Sequence, residues 1–183
     1  EYSDDVAITA KVKAAILGES TLKSAEINVE TFKGVVQLSG FVSSQAAINK
    51  AAPGDTLRVA RGIYPENLRI EKPLKLIGEG RPTIDAGGKG DTVRIVATDV
   101  SFEGFIVADS GADLGAQNAG VYIQPGAHRA RVAHCDFTYT LFGLWIEKAQ
   151  DVVIEGNLIT GKRDLGSSQR GNGIQLYNTT GAQ

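Results

Sequence analysis

A chain of 183 residues is long enough for one well-packed domain or two small ones. Its net charge of −2, with both signs interspersed, excludes the basic footprint that nucleic-acid binding requires. No apolar run approaches the roughly 18 residues of a membrane-spanning helix, and the single Cys135 excludes an internal disulfide.

The first predicted element is a helix. Ser3, Asp4 and Asp5 place a cap and two carboxylates at its start, where the helix dipole is positive. Ile8, Val12, Ala15 and Ile16 then fall on one apolar stripe, and Gly18 stops it. Two strands follow, Ile27 to Thr31 and Val35 to Ser39, turned by Lys33-Gly34. A second, short helix runs from Ser43 to Ala52 and is ended by Pro53-Gly54.

From there the pattern changes and repeats. Leu68-Arg69-Ile70, Val93-Arg94-Ile95, Val121-Tyr122-Ile123, Leu144-Trp145-Ile146 and Ile174-Gln175-Leu176 are alternating strands spaced by roughly 22–30 residues. The first four are each followed by a second strand anchored on Leu76, Phe102, Val132 and Ile154, and third strands begin around Val107, Phe137 and Ile159. A repeat of this length without helical periodicity predicts a β-solenoid, in which no coil buries its apolar face alone. Equivalent positions then stack into ladders about 4.8 Å apart. In that register Gly78, Gly104, His134 and Gly156 lie two residues beyond the second-strand anchors, with Glu79, Phe105, Cys135 and Asn157 one residue further on.

These segments resemble the right-handed parallel β-helix of carbohydrate-acting proteins. The run Gly54-Asp55-Thr56-Leu57-Arg58-Val59 through Gly62-Ile63-Tyr64-Pro65-Glu66-Asn67, then Leu76-Ile77-Gly78-Glu79-Gly80 and Thr83-Ile84-Asp85-Ala86, resembles the start of the NosD family. So does Gln169-Arg170-Gly171-Asn172-Gly173-Ile174-Gln175-Leu176. This resemblance spans about residues 46–183. It implies a periplasmic protein needed to mature the copper enzyme nitrous-oxide reductase, and further C-terminal coils in a longer chain. Ala10-Lys11-Val12-Lys13-Ala14-Ala15, Ile27-Asn28-Val29-Glu30 and Gly34 to Val42 resemble the BON domain of osmotically induced periplasmic proteins, without its last strand. The expected fold is therefore mainly β: a right-handed parallel β-helix over 53–183, preceded by a small α+β module over 1–52. The helix Gln45 to Ala52 fits both resemblances, and both imply export to the periplasm or beyond the cell.

The residues bear on three chemistries. Copper(I) favours thiolate and thioether ligands, but Met is absent, and adjacent His134 and Cys135 face opposite sides of a strand. Cys135 reads as a small core residue and His128 as a solvated turn residue, so no metal or other cofactor is expected. Polysaccharide cleavage needs clustered carboxylates. Asp85, Asp91, Asp99, Glu103, Asp109, Asp113, Asp136, Glu147, Asp151, Glu155 and Asp164 do not recur at one position on neighbouring coils, so no catalytic residue is assigned. Gly87-Gly88-Lys89-Gly90 lacks both the upstream Gly and the following Ser or Thr of a phosphate loop.

A binding surface remains. Two long loops, Asp109 to Ala119 and Gly161 to Asn172, leave the same edge of the solenoid, and between them the chain turns tightly through Tyr139 to Gly143. Tall loops on a rigid scaffold make the walls of a groove; the equal alternative is a pair of solvated loops, with Tyr139 or Phe142 simply covering the core. The expected lining of the groove is Asp113, Gln117, Asn118, Lys162, Arg163, Asp164 and Arg170, over a floor of Tyr139 and Phe142. A protein partner or an anionic glycan suits such a groove, and the bare last coil invites end-to-end self-association. The function expected first is a non-catalytic periplasmic binding or scaffold protein resembling NosD. A carbohydrate-binding or carbohydrate-modifying β-helix comes second. A structural assembly subunit, or an artificial fusion without activity of its own, is the third alternative.

Overall fold

The structure, a computed structural model, describes residues 2–17, 27–32, 35–40 and 44–183. The expected stop at Gly18, the turn at Lys33-Gly34 and Ser43 lie outside the described residues. Helix α1 spans Tyr2–Leu17, followed by strands β1 (Ile27–Phe32) and β2 (Val35–Gly40) and helix α2 (Ser44–Lys50). Fifteen short strands then wind three sheets.

The first sheet contains β3 (Thr56–Val59), β6 (Lys75–Gly78), β9 (Ser101–Glu103), β12 (Arg131–Ala133) and β15 (Val153–Glu155). The second contains β4 (Ile63–Tyr64), β7 (Thr83–Asp85), β10 (Ile106–Ala108), β13 (Asp136–Thr140) and β16 (Leu158–Gly161). The third contains β5 (Leu68–Ile70), β8 (Val93–Ile95), β11 (Ala119–Ile123), β14 (Phe142–Glu147) and β17 (Ile174–Tyr177). Every pairing among these strands is parallel, one coil to the next. Three parallel sheets of five strands are the architecture of the expected right-handed β-helix.

The register expected from the apolar anchors is the one observed. Leu76 pairs with Phe102, Phe102 with Val132, and Val132 with Ile154. The first three are buried and Ile154 packs against the same core. Phe105 stacks on Phe102 with ring centroids 4.2 Å apart, and Cys135, fully buried, continues the Phe105 position on the next coil. Asn157 occupies the equivalent place on the coil after. Its Oδ1 accepts the Cys135 N–H at 2.9 Å and its Nδ2 donates to the Val132 carbonyl at 2.9 Å, so a polar side chain closes the turn. The preceding turn residue takes a left-handed conformation at Gly104 (φ 83°), His134 (φ 53°) and Gly156 (φ 62°).

The N-terminal end is fastened to the first coil. Strand β2 pairs antiparallel with β1 and parallel with β3, with Val36 opposite Leu57 and Leu38 opposite Val59. The hairpin thus extends the first sheet, and the solenoid's opening strand is the third strand beside it. Helix α2 lies over the end of the coil with Ile48 buried in the core. Both its termini are satisfied by the solenoid. The Ser44 and Gln45 N–H groups donate to the Glu66 carboxylate at 2.5 and 3.1 Å, while Lys72 Nζ donates to the Asn49 and Ala51 carbonyls at 2.8 Å each. An anion at the start and a cation at the end both favour the helix dipole. The Gln45 side chain also accepts the Arg69 N–H and donates to its carbonyl, occupying the free edge of β5. Ile8 and Val12 of α1 face Ala47, Ala51 and Leu57 across a cleft of about 280 Å³.

Candidate functional site

The two long loops and the tight turn all join the second sheet to the third. They follow β10, β16 and β13 respectively, and between β13 and β14 only Leu141 intervenes. Each loop is tied to its neighbours. The Leu141 N–H donates to the buried Ser110 Oγ at 2.9 Å, the Gly111 N–H to the Gly90 carbonyl at 2.7 Å, and the Phe142 N–H to the Asn118 carbonyl at 3.2 Å.

The expected lining residues separate into three groups. Asp113, Gln117 and Asn118 organise their own loop: Asp113 Oδ1 accepts the Gly115 and Ala116 N–H groups, and Asn118 Oδ1 accepts the Asp113 N–H. Gln117 holds the left-handed position of that loop (φ 58°) and is half-buried.

Tyr139, Lys162 and Asp164 come together over the second sheet. The Lys162 ammonium donates to Asp109 Oδ1 at 2.9 Å and lies 3.9 Å from the centre of the Tyr139 ring. The lysine is only 6% exposed, so a buried cation spans the space expected to be open. The Tyr139 hydroxyl donates to Asp164 Oδ2 at 2.7 Å. That bond pulls the Asp164 carboxyl below its ordinary range and pushes the Tyr139 phenol up. Asp109 is the member that sequence reading left out of the lining. Its place at the end of a third strand was the available signal.

Phe142 faces the other way, onto the third sheet. It meets Trp145 edge-on at 4.9 Å and clusters with Ala119, Tyr122 and Leu141, covered by Leu165 from the second loop. Tyr122 is sandwiched beneath Arg94, whose guanidinium lies 4.3 Å from the ring centre, and donates to Glu147 Oε2 at 2.6 Å. Burial, with Glu147 adding to it, pushes the Tyr122 phenol to about 12. Trp145, Tyr122 and Leu165 were not expected at the site, because strand alternation alone does not reveal which outward faces a loop will cover. Arg170 folds back on its own loop, donating Nε to the Leu165 carbonyl and Nη2 to the Arg163 carbonyl, both at 2.6 Å. The Arg163 side chain is exposed and makes no ion pair among the described residues.

Elsewhere the charged groups pair along ladders. Arg129 holds Asp99 through two bonds, at 2.7 and 2.8 Å, and draws its carboxyl down to about 2. Arg131 joins Glu103 at 2.7 Å and Glu155 on the opposite neighbouring coil. His134 and Cys135 lie in the turn between β12 and β13 and not on one strand as expected; His134, in the left-handed conformation, is exposed, Cys135 is buried, and burial pushes the Cys135 thiol up to about 11. His128 differs from the expected solvated turn residue. Its Nδ1 accepts the Gln150 N–H at 3.0 Å, because the next coil brings that amide beneath it. Among the described residues no group of three or more His, Cys, Asp or Glu is placed to hold a metal ion, and no helix is long and apolar enough to cross a membrane.

The molecule is thus a parallel β-helix carrying an α+β hairpin module at its N-terminal end. Comparison with known proteins divides it the same way. Residues 4–53 match the BON domain family model. Over 126 residues the chain is 35% identical to the probable ABC transporter binding protein NosD of Stutzerimonas stutzeri, covering 69% of this chain and 29% of that protein. The protein of the same name from Pseudomonas aeruginosa is 29% identical over 119 residues, covering 65% of this chain and 28% of that protein. The osmotically-inducible protein Y of Escherichia coli is 48% identical over 62 residues, 34% of this chain and 28% of its own length. The chain spans less than a third of each of these relatives.

Proposed function

We propose that this is a non-catalytic periplasmic binding or scaffold protein of the NosD kind, serving the maturation of the copper enzyme nitrous-oxide reductase. The 35% identity along most of the chain to a protein named as an ABC transporter binding protein carries this reading. The surface chemistry agrees with it. A glycosidase needs two carboxyl groups astride one bond, whereas Asp99, Glu103, Glu155 and Asp109 lie against Arg129, Arg131 and Lys162. In this reading residues 1–52 and 53–183 are two modules that share α2, and a partner rests on the corner between the long loops. The test is a chimera in which residues 53–183 replace the matching segment of the Stutzerimonas protein, in cells lacking their own copy. Copper-loaded, active nitrous-oxide reductase is the expected result. A chimera that is exported and folded but leaves the enzyme without copper rejects the proposal.

A further inference from the structure

We propose that the hollow between the tight corner and the second long loop binds a single oxyanion: the carboxylate, sulfate or phosphate group of a ligand lying in the groove. A depression of about 130 Å³ is lined there by Leu141, Gly161, Lys162, Arg163, Arg170 and Gly171. That is room for about four water molecules at about 30 Å³ each, the scale of one small anion with a first water.

Three of the lining residues are cations, and they are not equivalent. The Lys162 ammonium is committed to Asp109. Arg170 is held by two backbone carbonyls, which fix its guanidinium without cancelling its charge. Of its five N–H donors, two are used there and the rest are available to a ligand. Arg163, exposed beside it, has no carboxylate partner among the described residues. The nearby carboxylates are Asp109 and Asp164, the first on Lys162 and the second on the Tyr139 hydroxyl. Three cations against two carboxylates leave one positive charge, which matches one oxyanion group rather than a polyanion. Two guanidinium groups at one pocket suit the forked geometry of carboxylate and sulfate.

The pocket also has a built-in reporter. Gly171 is pressed so closely on the corner that an added Cβ would stand 2.6 Å from the Leu141 carbonyl oxygen and 2.8 Å from the Phe142 ring. Phe142 in turn meets Trp145, the single tryptophan of the chain. Occupancy of the pocket is therefore expected to change the tryptophan emission, through Phe142.

The experiment titrates the 183-residue chain with sulfate, glucuronate and glucose, at constant ionic strength balanced by sodium chloride. Saturable, mutually competing changes with sulfate and glucuronate, and none with glucose, are expected. Arg163→Gln should weaken both at least tenfold without altering the far-ultraviolet circular dichroism. Arg170→Gln should weaken them further, and because it also loosens the loop, Arg163→Gln is the deciding variant. Saturation by glucuronate alone supports the site with an acidic sugar as the source, and by sulfate alone with a free anion. A response no different from chloride, or an affinity unchanged by Arg163→Gln, overturns the inference. It gives chemistry to the groove of the preceding reading but does not need copper-enzyme maturation. A flat titration beside a working chimera removes only the anion site, and a failed chimera beside a saturable titration removes only the maturation role.

Discussion

Replacing Phe102 by Ala is expected to destabilise the solenoid by about 3–5 kcal/mol, measured as a lowered urea midpoint with unchanged slope. The ring has no exposed surface and sits between Leu76 and Val132 on the coils either side. It also stacks on Phe105 at an interplanar angle of 14°, a contact worth about 0.5–1.5 kcal/mol beyond its area. Truncation opens a cavity that neither neighbour can fill, since each is fixed by its own ladder. A loss below about 1 kcal/mol would falsify the register, because a buried aromatic does not leave a packed core so cheaply.

The second large effect is expected at the buried lysine. Asp109→Ala should cost about 2–3 kcal/mol, because it leaves the Lys162 ammonium under the Tyr139 ring without its carboxylate. The figure is set below the usual 3–5 kcal/mol for a fully buried pair because the Asp109 side chain is 35% exposed. Lys162→Met, which removes the charge and keeps the stem, should cost no more than about 1 kcal/mol. Thermal unfolding of both variants checks the asymmetry. Equal losses would show that the pair contributes through shape and not through the stranded charge.

The solenoid was legible because its signal is local and repeated. Leu76, Phe102, Val132 and Ile154 announce their rung through spacing, and the same spacing places Cys135 inward and His134 outward. Contacts that depend on how coils stack were less so. Lys162 and Asp109 are 53 residues apart, and Arg131 is 28 and 24 residues from its two carboxylate partners, so each pairing exists only once register is known. The groove suffered most from this. Loop length located the corner correctly, but nothing in the composition of 162–173 shows that Lys162 turns inward while Arg170 turns back on its own loop. The parallel pairing of β2 with β3 was hidden for a related reason: a strand's partner across a helix is chosen by the whole assembly and leaves no local pattern.

The fastening of α2 bears on which N-terminal modules the solenoid can carry. Glu66, Lys72 and the backbone of Arg69 all belong to the first coil, so the solenoid carries its own socket. The helix supplies mainly what any helix has, namely free N–H groups at one end and free carbonyls at the other, with Gln45 and Ile48 as the two specific side chains. In a solenoid, stability is summed over neighbouring repeats, so exchanging whatever precedes this helix leaves the later coils untouched. The seam is wider than the helix, since β2 also pairs with β3, so a different N-terminal module would need a strand placed beside β3 as well as Gln45 and Ile48.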